Sequence, residues 1–182
     1  MQTWVVVASG QSLTDEQVEY VRSKKESGDI AGVIAVSDVG LLKAPWADAL
    51  VSHDSNWWIV HPEALDFKGK KFSSLSYRGT IGFPAKNVSK LSGCNSGLLA
   101  MFVAKHYFKA QRIILLGFDM HGTHFFGPHT ATAFGRVLKN TPPPKFLIHL
   151  SQFKHFTGCE VINCTPGSAL ELYKMCDLKE AI

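Results

Sequence analysis

Five times along this chain a run of four or five mostly apolar residues stops abruptly at a polar or turn-forming one. Trp4 to Ala8 runs into Ser9, Gly10, Gln11 and Ser12, and Val33 to Val36 runs into Ser37 and Asp38. Asp48 to Ser52 ends at His53 and Asp54, and Arg112 to Leu116 at Gly117, Phe118 and Asp119. Glu160 to Asn163 ends at Cys164, Thr165, Pro166, Gly167 and Ser168. Such runs are too short for buried helices and lack the alternation of a strand with one wet face. They read as strands covered on both sides, which is the situation in a parallel sheet.

The stretches between them carry helical signals. Thr14, followed three residues later by Gln17, forms a capping box, with Asp15 and Glu16 in the first turn and Gly28 as the stop after Ser27. From Ser96 the apolar residues Leu99, Phe102, Val103 and Tyr107 recur at helical spacing, with Ala100 and Ala104 small enough for close packing on a sheet. The prolines at 142–144 break the chain before a helix expected from Lys145 to about Thr157, and a last short helix is expected after Ser168. Lys71 to Leu75 and Thr80 to Phe83 read as further short strands. Strands and helices that alternate with short loops predict an α/β fold, a Rossmann-like three-layer sandwich with a mainly parallel sheet and right-handed crossovers. With 182 residues, 46% of them hydrophobic and 19% charged, the chain reads as one globular domain over 1–182.

Several function classes are disfavoured at this level. A net charge of +4, with only Lys68, Lys70 and Lys71 close together, argues against a nucleic-acid surface and is compatible with an anionic small ligand. The start of the chain lacks the basic segment and long apolar core of a signal peptide, and no stretch reaches the roughly 20 apolar residues of a membrane span. Cys94, Cys159, Cys164 and Cys176 show no Cys-x-x-Cys spacing, so reduced thiols and a cytoplasmic setting are expected. One glycine in the first turn, Gly10, falls short of the three in a dinucleotide fingerprint, and no Gly-Lys-Ser/Thr ends a phosphate loop.

The candidate site residues lie at strand ends. Gly10 and Ser12 sit where a strand meets a helix whose free N–H groups favour an anion, although a glycine there also serves a turn alone. A branched side chain at Gly10 is expected to block such a ligand while sparing the fold. Asn95 or Ser96 caps the central helix, and Gly97 removes a side chain where either a ligand or the sheet must come close. Asp119 can bond a ribose or a metal, or simply cap the next segment. His121, His124 and His129 follow in a loop rich in Gly, Thr and Phe. A histidine is the natural acid–base group near neutral pH, while loop packing and metal ligation are the competing roles. His53 is a weaker candidate; His61, His106, His149 and His155 read as surface or packing residues.

Three segments together resemble the bacterial sialyltransferase-like superfamily, which also takes in motility-associated protein glycosyltransferases and archaeal hydroxymethylpterin pyrophosphokinase-like proteins. Asn95-Ser96-Gly97 with Ala100 and Ala104, followed by Ile113 to Asp119 ending Gly-Phe-Asp, is similar to its central motif. Ser9-Gly10-Gln11-Ser12 is similar to its Gly-x-Gly-Pro-Ser-Leu turn, without the proline and with Gln11 where glycine is common. Asn163 to Ala169 resembles its Asn-x-Thr-x-Gly-Gly-Ala stretch, and Phe125 to His129 looks like a loop of small phage and prophage proteins.

The resemblance implies a nucleotide or nucleotide-sugar ligand touching Gly10, Gln11, Ser12, Asn95, Ser96, Gly97, Gly117, Asp119 and His121. Asp38, Thr165, Gly167 and Ser168 would complete that wall. It implies glycosyl or diphosphoryl transfer, with His129 or His124 as base, in the cytoplasm of a phage-infected bacterium. No cofactor is implied with certainty, Mg²⁺ entering only for diphosphoryl transfer, and a homo-oligomer is compatible. The alternative is a phage-encoded protein that sequesters a nucleotide without turning it over.

Overall fold

A computed structural model describes residues 1–83, 95–133 and 135–182. Eight strands form one sheet: β1 (Thr3–Val7), β2 (Gly32–Val36), β3 (Ala49–Val51), β4 (Lys70–Ser73), β5 (Ile81–Gly82), β6 (Arg112–Leu116), β9 (Glu160–Asn163) and β10 (Lys174–Met175). Their order is β10-β9-β6-β1-β2-β3-β4-β5 and every pairing is parallel. The chain therefore builds outward from β1 through β5, then returns to the other side of β1 with β6. That reversal places a crevice between the carboxyl ends of β1 and β6, where α/β sheets commonly hold ligands.

The apolar runs are explained by burial on both faces. Trp4 and Val6 of β1, Ile34 and Val36 of β2, and Ile113 and Leu115 of β6 pack on one side, against α4 (Ser96–His106), Phe153 and Phe156. Val5, Val7, Val33, Ala35, Ile114 and Leu116 point the other way, onto α1 (Asp15–Glu26) and α3 (Ser55–Val60) through Val18, Val21, Trp57 and Trp58. Two apolar layers on one sheet give the expected three-layer sandwich. Gly97 through Ala104 of α4 are all buried, the pattern of a central helix rather than a surface one.

The Thr14–Gln17 capping box is present in full, and Gly28 follows the end of α1 with φ +82°. The carboxyl-terminal half departs more from expectation. Helix α5 spans Pro143–Phe153, because Pro143 and Pro144 occupy a first turn in which a missing N–H costs nothing. After Ser168 the chain loops into edge strand β10, and the short helix α6 comes later, at Leu178–Ala181. A small antiparallel pair, β7 (Thr132–Ala133) with β8 (Arg136–Val137), also went unread. Among the described residues no helix is long and apolar enough to cross a membrane.

Candidate functional site

At the strand-order reversal the crevice is filled by its own loops. The Gly10 N–H donates to the Gly117 carbonyl at 2.9 Å, and Ala8 N–H to Leu116 at 2.8 Å. Both Ser12 groups then grip the carboxyl of Asp119: the N–H reaches Oδ1 at 3.0 Å and Oγ donates to Oδ2 at 2.9 Å. A Cβ on Gly10 would lie 1.8 Å from Asp119 Oδ2 and 2.5 Å from the Gly117 carbonyl oxygen. Gly117 has φ +69° and would push a Cβ to 2.1 Å from the Ala8 carbonyl oxygen. These glycines serve loop-to-loop contact, so a branched residue at Gly10 strikes the fold and not only a ligand, contrary to the sequence-based expectation.

The carboxyl-terminal wall has a similar use. Thr165 Oγ1 accepts the Phe118 N–H at 2.9 Å, and Ser168 Oγ donates to the Phe118 carbonyl at 2.5 Å. Asn163 Nδ2 donates to Ser168 Oγ and to the Leu170 carbonyl, both at 3.0 Å. His121 Nε2 lies 3.0 Å from the Gly167 carbonyl oxygen, and Gln11 sits against Gly122. Gln11, Ser12, Thr165, Gly167 and Ser168 are thus not brought to the wall of the main cleft. Thr165 borders a second hollow of about 750 Å³ between α1 and α6.

The main cleft, about 900 Å³, does take in Gly10, Asp38, Asn95, Ser96, Gly97, Gly117, Asp119, His121, His124 and His129. It runs from the ends of β1 and β6 over the ends of β2 and β3 to α5. Asp38 opens α2 (Asp38–Leu42), directly after Ser37, whose φ of 49° and ψ of −124° are unusual for a residue with a side chain. Ser37 Oγ donates to Ser52 Oγ at 3.0 Å, which ties the ends of β2 and β3 together. Asp38 is only 5% exposed. Its Oδ2 accepts Trp57 Nε1–H at 3.0 Å and its Oδ1 lies 3.6 Å from His61 Nε2. His61 Nδ1 is 2.9 Å from Glu63.

At the amino end of α4 the cap is Asn95, whose Oδ1 accepts the Leu98 N–H at 2.8 Å, while Ser96 Oγ accepts the His53 N–H at 2.9 Å. Gly97 makes room for Phe118, whose ring would be 2.7 Å from a Cβ there, so its close approach is to the sheet side and not to a ligand. The loop after β6 carries the imidazoles. The rings of His124 and His129 are 4.4 Å apart, and His124 stacks on Phe126 at 4.9 Å and 8°. The His124 backbone bridges to Gly10 and to Gly127, which stitches this loop to the first turn.

Burial lowers the pKa of His53, His124 and His129, since each loses water that would solvate its charged form. For His124 the neighbouring His129 lowers it further, while the Asp38 carboxylate and the Gly127 backbone oppose the shift. For His129 the Asp38 carboxylate is the largest opposing influence, with His61 acting the other way. Three buried nitrogens in or beside the cleft have no hydrogen-bond partner among the described residues: Asn95 Nδ2, His124 Nδ1 and His61 Nε2, the last facing Asp38 Oδ1 at 3.6 Å. Among the described residues no group of three His, Cys, Asp or Glu side chains is placed to hold a metal ion.

Sequence reasoning missed His61 and His149, which it assigned to surface or packing. His61 is partly buried beside Asp38, and His149 lines the cleft with Lys139, Lys145 and Phe146. The signal for His149 was weak but present, since residues three and four apart on α5 place it near Lys145 and Phe146. Nothing in the sequence announces the bond from Trp57 to Asp38, which depends on how α3 packs against α2.

The fold and site define a Rossmann-like α/β protein whose polar cleft lies over the carboxyl ends of its parallel strands. Comparison with protein-family models, curated proteins and solved structures finds no match to this chain.

Proposed function

We propose that this protein is a nucleotide-binding transferase that moves a glycosyl or diphosphoryl group from a nucleotide donor held in the main cleft. The observation that carries the reading is the meeting of neutral-leaning imidazoles with a buried carboxylate at the strand ends: His124 and His129 line the same cleft as Asp38. A cleft of about 900 Å³ is the size of a pocket for a nucleotide-sized ligand. Lys139 and Lys145 on its rim suit an anionic ligand, and neither forms an ion pair among the described residues. In the transfer, a neutral imidazole takes the acceptor's proton while rim cations and the α4 N-terminus steady the leaving phosphate. Mg²⁺ belongs only to the diphosphoryl form of the reaction.

A second reading is binding without turnover. It draws on the internal use of Ser12, Thr165 and Ser168, which removes three hydroxyls from the supply of donors to a leaving phosphate. Calorimetric titration with nucleoside mono- and diphosphates and nucleotide sugars tests both. Saturable binding with release of free nucleotide from a donor supports transfer; tight binding with the donor recovered intact supports sequestration. No binding by any member of the set would remove both.

A further inference from the structure

The hollow between α1 and α6, about 750 Å³, is lined by two cysteines, Cys164 and Cys176. Strand register brings them there. Edge strand β10 runs parallel to β9 with Lys174 level with Ile162 and Met175 with Asn163, so the next step sets Cys176 beside Cys164. The Cys176 N–H donates to the Asn163 carbonyl at 3.2 Å, which carries the register past the last paired residue. Alternation along the strands turns both thiols to one face. Asn163 sends its amide the other way, to Ser168 and Leu170, whereas Cys164 belongs to the apolar layer under α1 and Cys176 packs against that layer. Neighbouring strands lie roughly 4.8 Å apart, inside the roughly 4.4–6.8 Å that separates the Cα atoms of a disulfide. Cys159 packs with the opposite apolar layer, its S–H donating to the Ala110 carbonyl at 3.4 Å.

We propose that Cys164 and Cys176 form a dithiol modification site, which a hydroperoxide converts to a cross-strand disulfide that fastens edge strand β10 to β9. This site is separate from the main cleft and stands whether or not the transferase reading does. The two sulfurs have different parts. Cys176 is partly buried, and its S–H donates to Glu180 Oε2 at 3.6 Å, a carboxylate placed to take the thiol proton. Cys164 is buried, and loss of water pushes its thiol up to about 12, with Cys176 and Asp177 adding to the rise. The first attack therefore falls to Cys176. Its sulfur bonds to one peroxide oxygen, the O–O bond breaks, and the other oxygen leaves as water, which gives a sulfenic acid. The Cys164 sulfur then attacks the Cys176 sulfur. The S–O bond breaks, and the oxygen leaves as a second water with the Cys164 proton. Two thiols are oxidised to one disulfide, and one hydrogen peroxide is reduced to two waters.

The test is exposure of the reduced, folded full chain to hydrogen peroxide, followed by alkylation of the remaining thiols and peptide mass spectrometry. Cleavage after lysine parts Cys176 from Cys164 at Lys174, and cleavage after Glu160 parts Cys164 from Cys159. The expected product is a monomer lighter by two hydrogens, with the Cys164 and Cys176 peptides joined and the link undone by dithiothreitol. Cys159→Ser should give the same link, and Cys176→Ser and Cys164→Ala should give none. Hydrogen exchange at the amides of β10 should slow on the order of tenfold or more in the oxidised protein, because the edge strand can no longer open alone. Wild-type protein that keeps both thiols reduced, or carries Cys176 to the sulfinic acid without a link, overturns the proposal. So does a Cys176 joined to Cys159, to Cys94 or to a second copy of the chain. A Cys164–Cys176 link that leaves β10 exchange unchanged overturns the fastening of the edge strand.

Discussion

The crevice between β1 and β6 and the shoulder of the cleft over β2 and β3 are built from the same kinds of residue, yet they are used differently. In the crevice nearly every polar group has a protein partner: Ser12 with Asp119, Thr165 and Ser168 with the backbone of Phe118, Gly10 with Gly117. Toward β2, β3 and the start of α4, Asn95 Nδ2 and His61 Nε2 are buried without a hydrogen-bond partner among the described residues, as is His124 Nδ1 where the loop after β6 faces that side. An unmet buried donor or acceptor costs about 1–3 kcal/mol, so it persists where something else, water or a ligand, completes it. What separates a latch from a site is thus the satisfaction of its polar atoms and not their identity. The crevice holds the sheet's two halves together, and the shoulder is where the proposed ligand has room.

The largest effect that separates these roles is expected at Gly10. Valine there would force its Cβ into the Asp119 carboxyl and the Gly117 carbonyl, backbone and short side chain that cannot move aside cheaply. Gly10→Val is expected to lose roughly 3 kcal/mol or more of stability in urea unfolding, with Tm lower by about 10 °C. If the variant unfolds like wild type and loses only nucleotide binding, the crevice is open after all and the comparison fails.

How far each region could be read in advance follows from the same distinction. The five main strands were legible because burial on both faces leaves a continuous apolar run, and α1 because its cap is a local device. The edge strand β10 is two exposed residues, Lys174 and Met175, and offers no such run. Asp38, Asn95, Ser96, His124 and His129 could be placed at the cleft because strand and helix ends on one sheet converge there. The latch role of Ser12, Thr165 and Ser168 could not be read, since a hydroxyl at a strand end looks the same whether it faces a ligand or a loop 50 or 107 residues away. His61 gains its meaning only when α3 brings Trp57 and the following turn up to Asp38.

A smaller effect sharpens the contrast. Ser12→Ala removes one of the two bonds to Asp119 and leaves the backbone N–H bond in place. It is expected to cost about 1–2 kcal/mol in urea unfolding while the proposed nucleotide binding stays near wild type. A variant that keeps its stability but binds more weakly would move Ser12 from the latch to the site.

The smallest effect is the pH dependence of stability carried by the shoulder. His53, His124 and His129 all have pKa values below the ordinary 6.5 because burial disfavours their charged forms. The unfolded chain, whose histidines titrate near 6.5, then binds more protons than the native protein in the interval just below that value. Their contribution is therefore fully present above pH 6.5 and is lost as the pH falls from 6.5 through the lowered native values. Urea midpoints measured between pH 5 and 8 should be level at the upper end and decline toward the lower. His129→Gln should make that decline shallower, because one buried imidazole no longer has to charge, and the loss of its neighbour should ease the protonation of His124 as well. Ser12→Ala, which acts in the crevice, should lower the midpoints without altering their slope with pH. An equal slope in His129→Gln and wild type would mean that His129 is as well solvated as an exposed histidine, and the shoulder would lose its claim to be the drier, less satisfied half of the cleft.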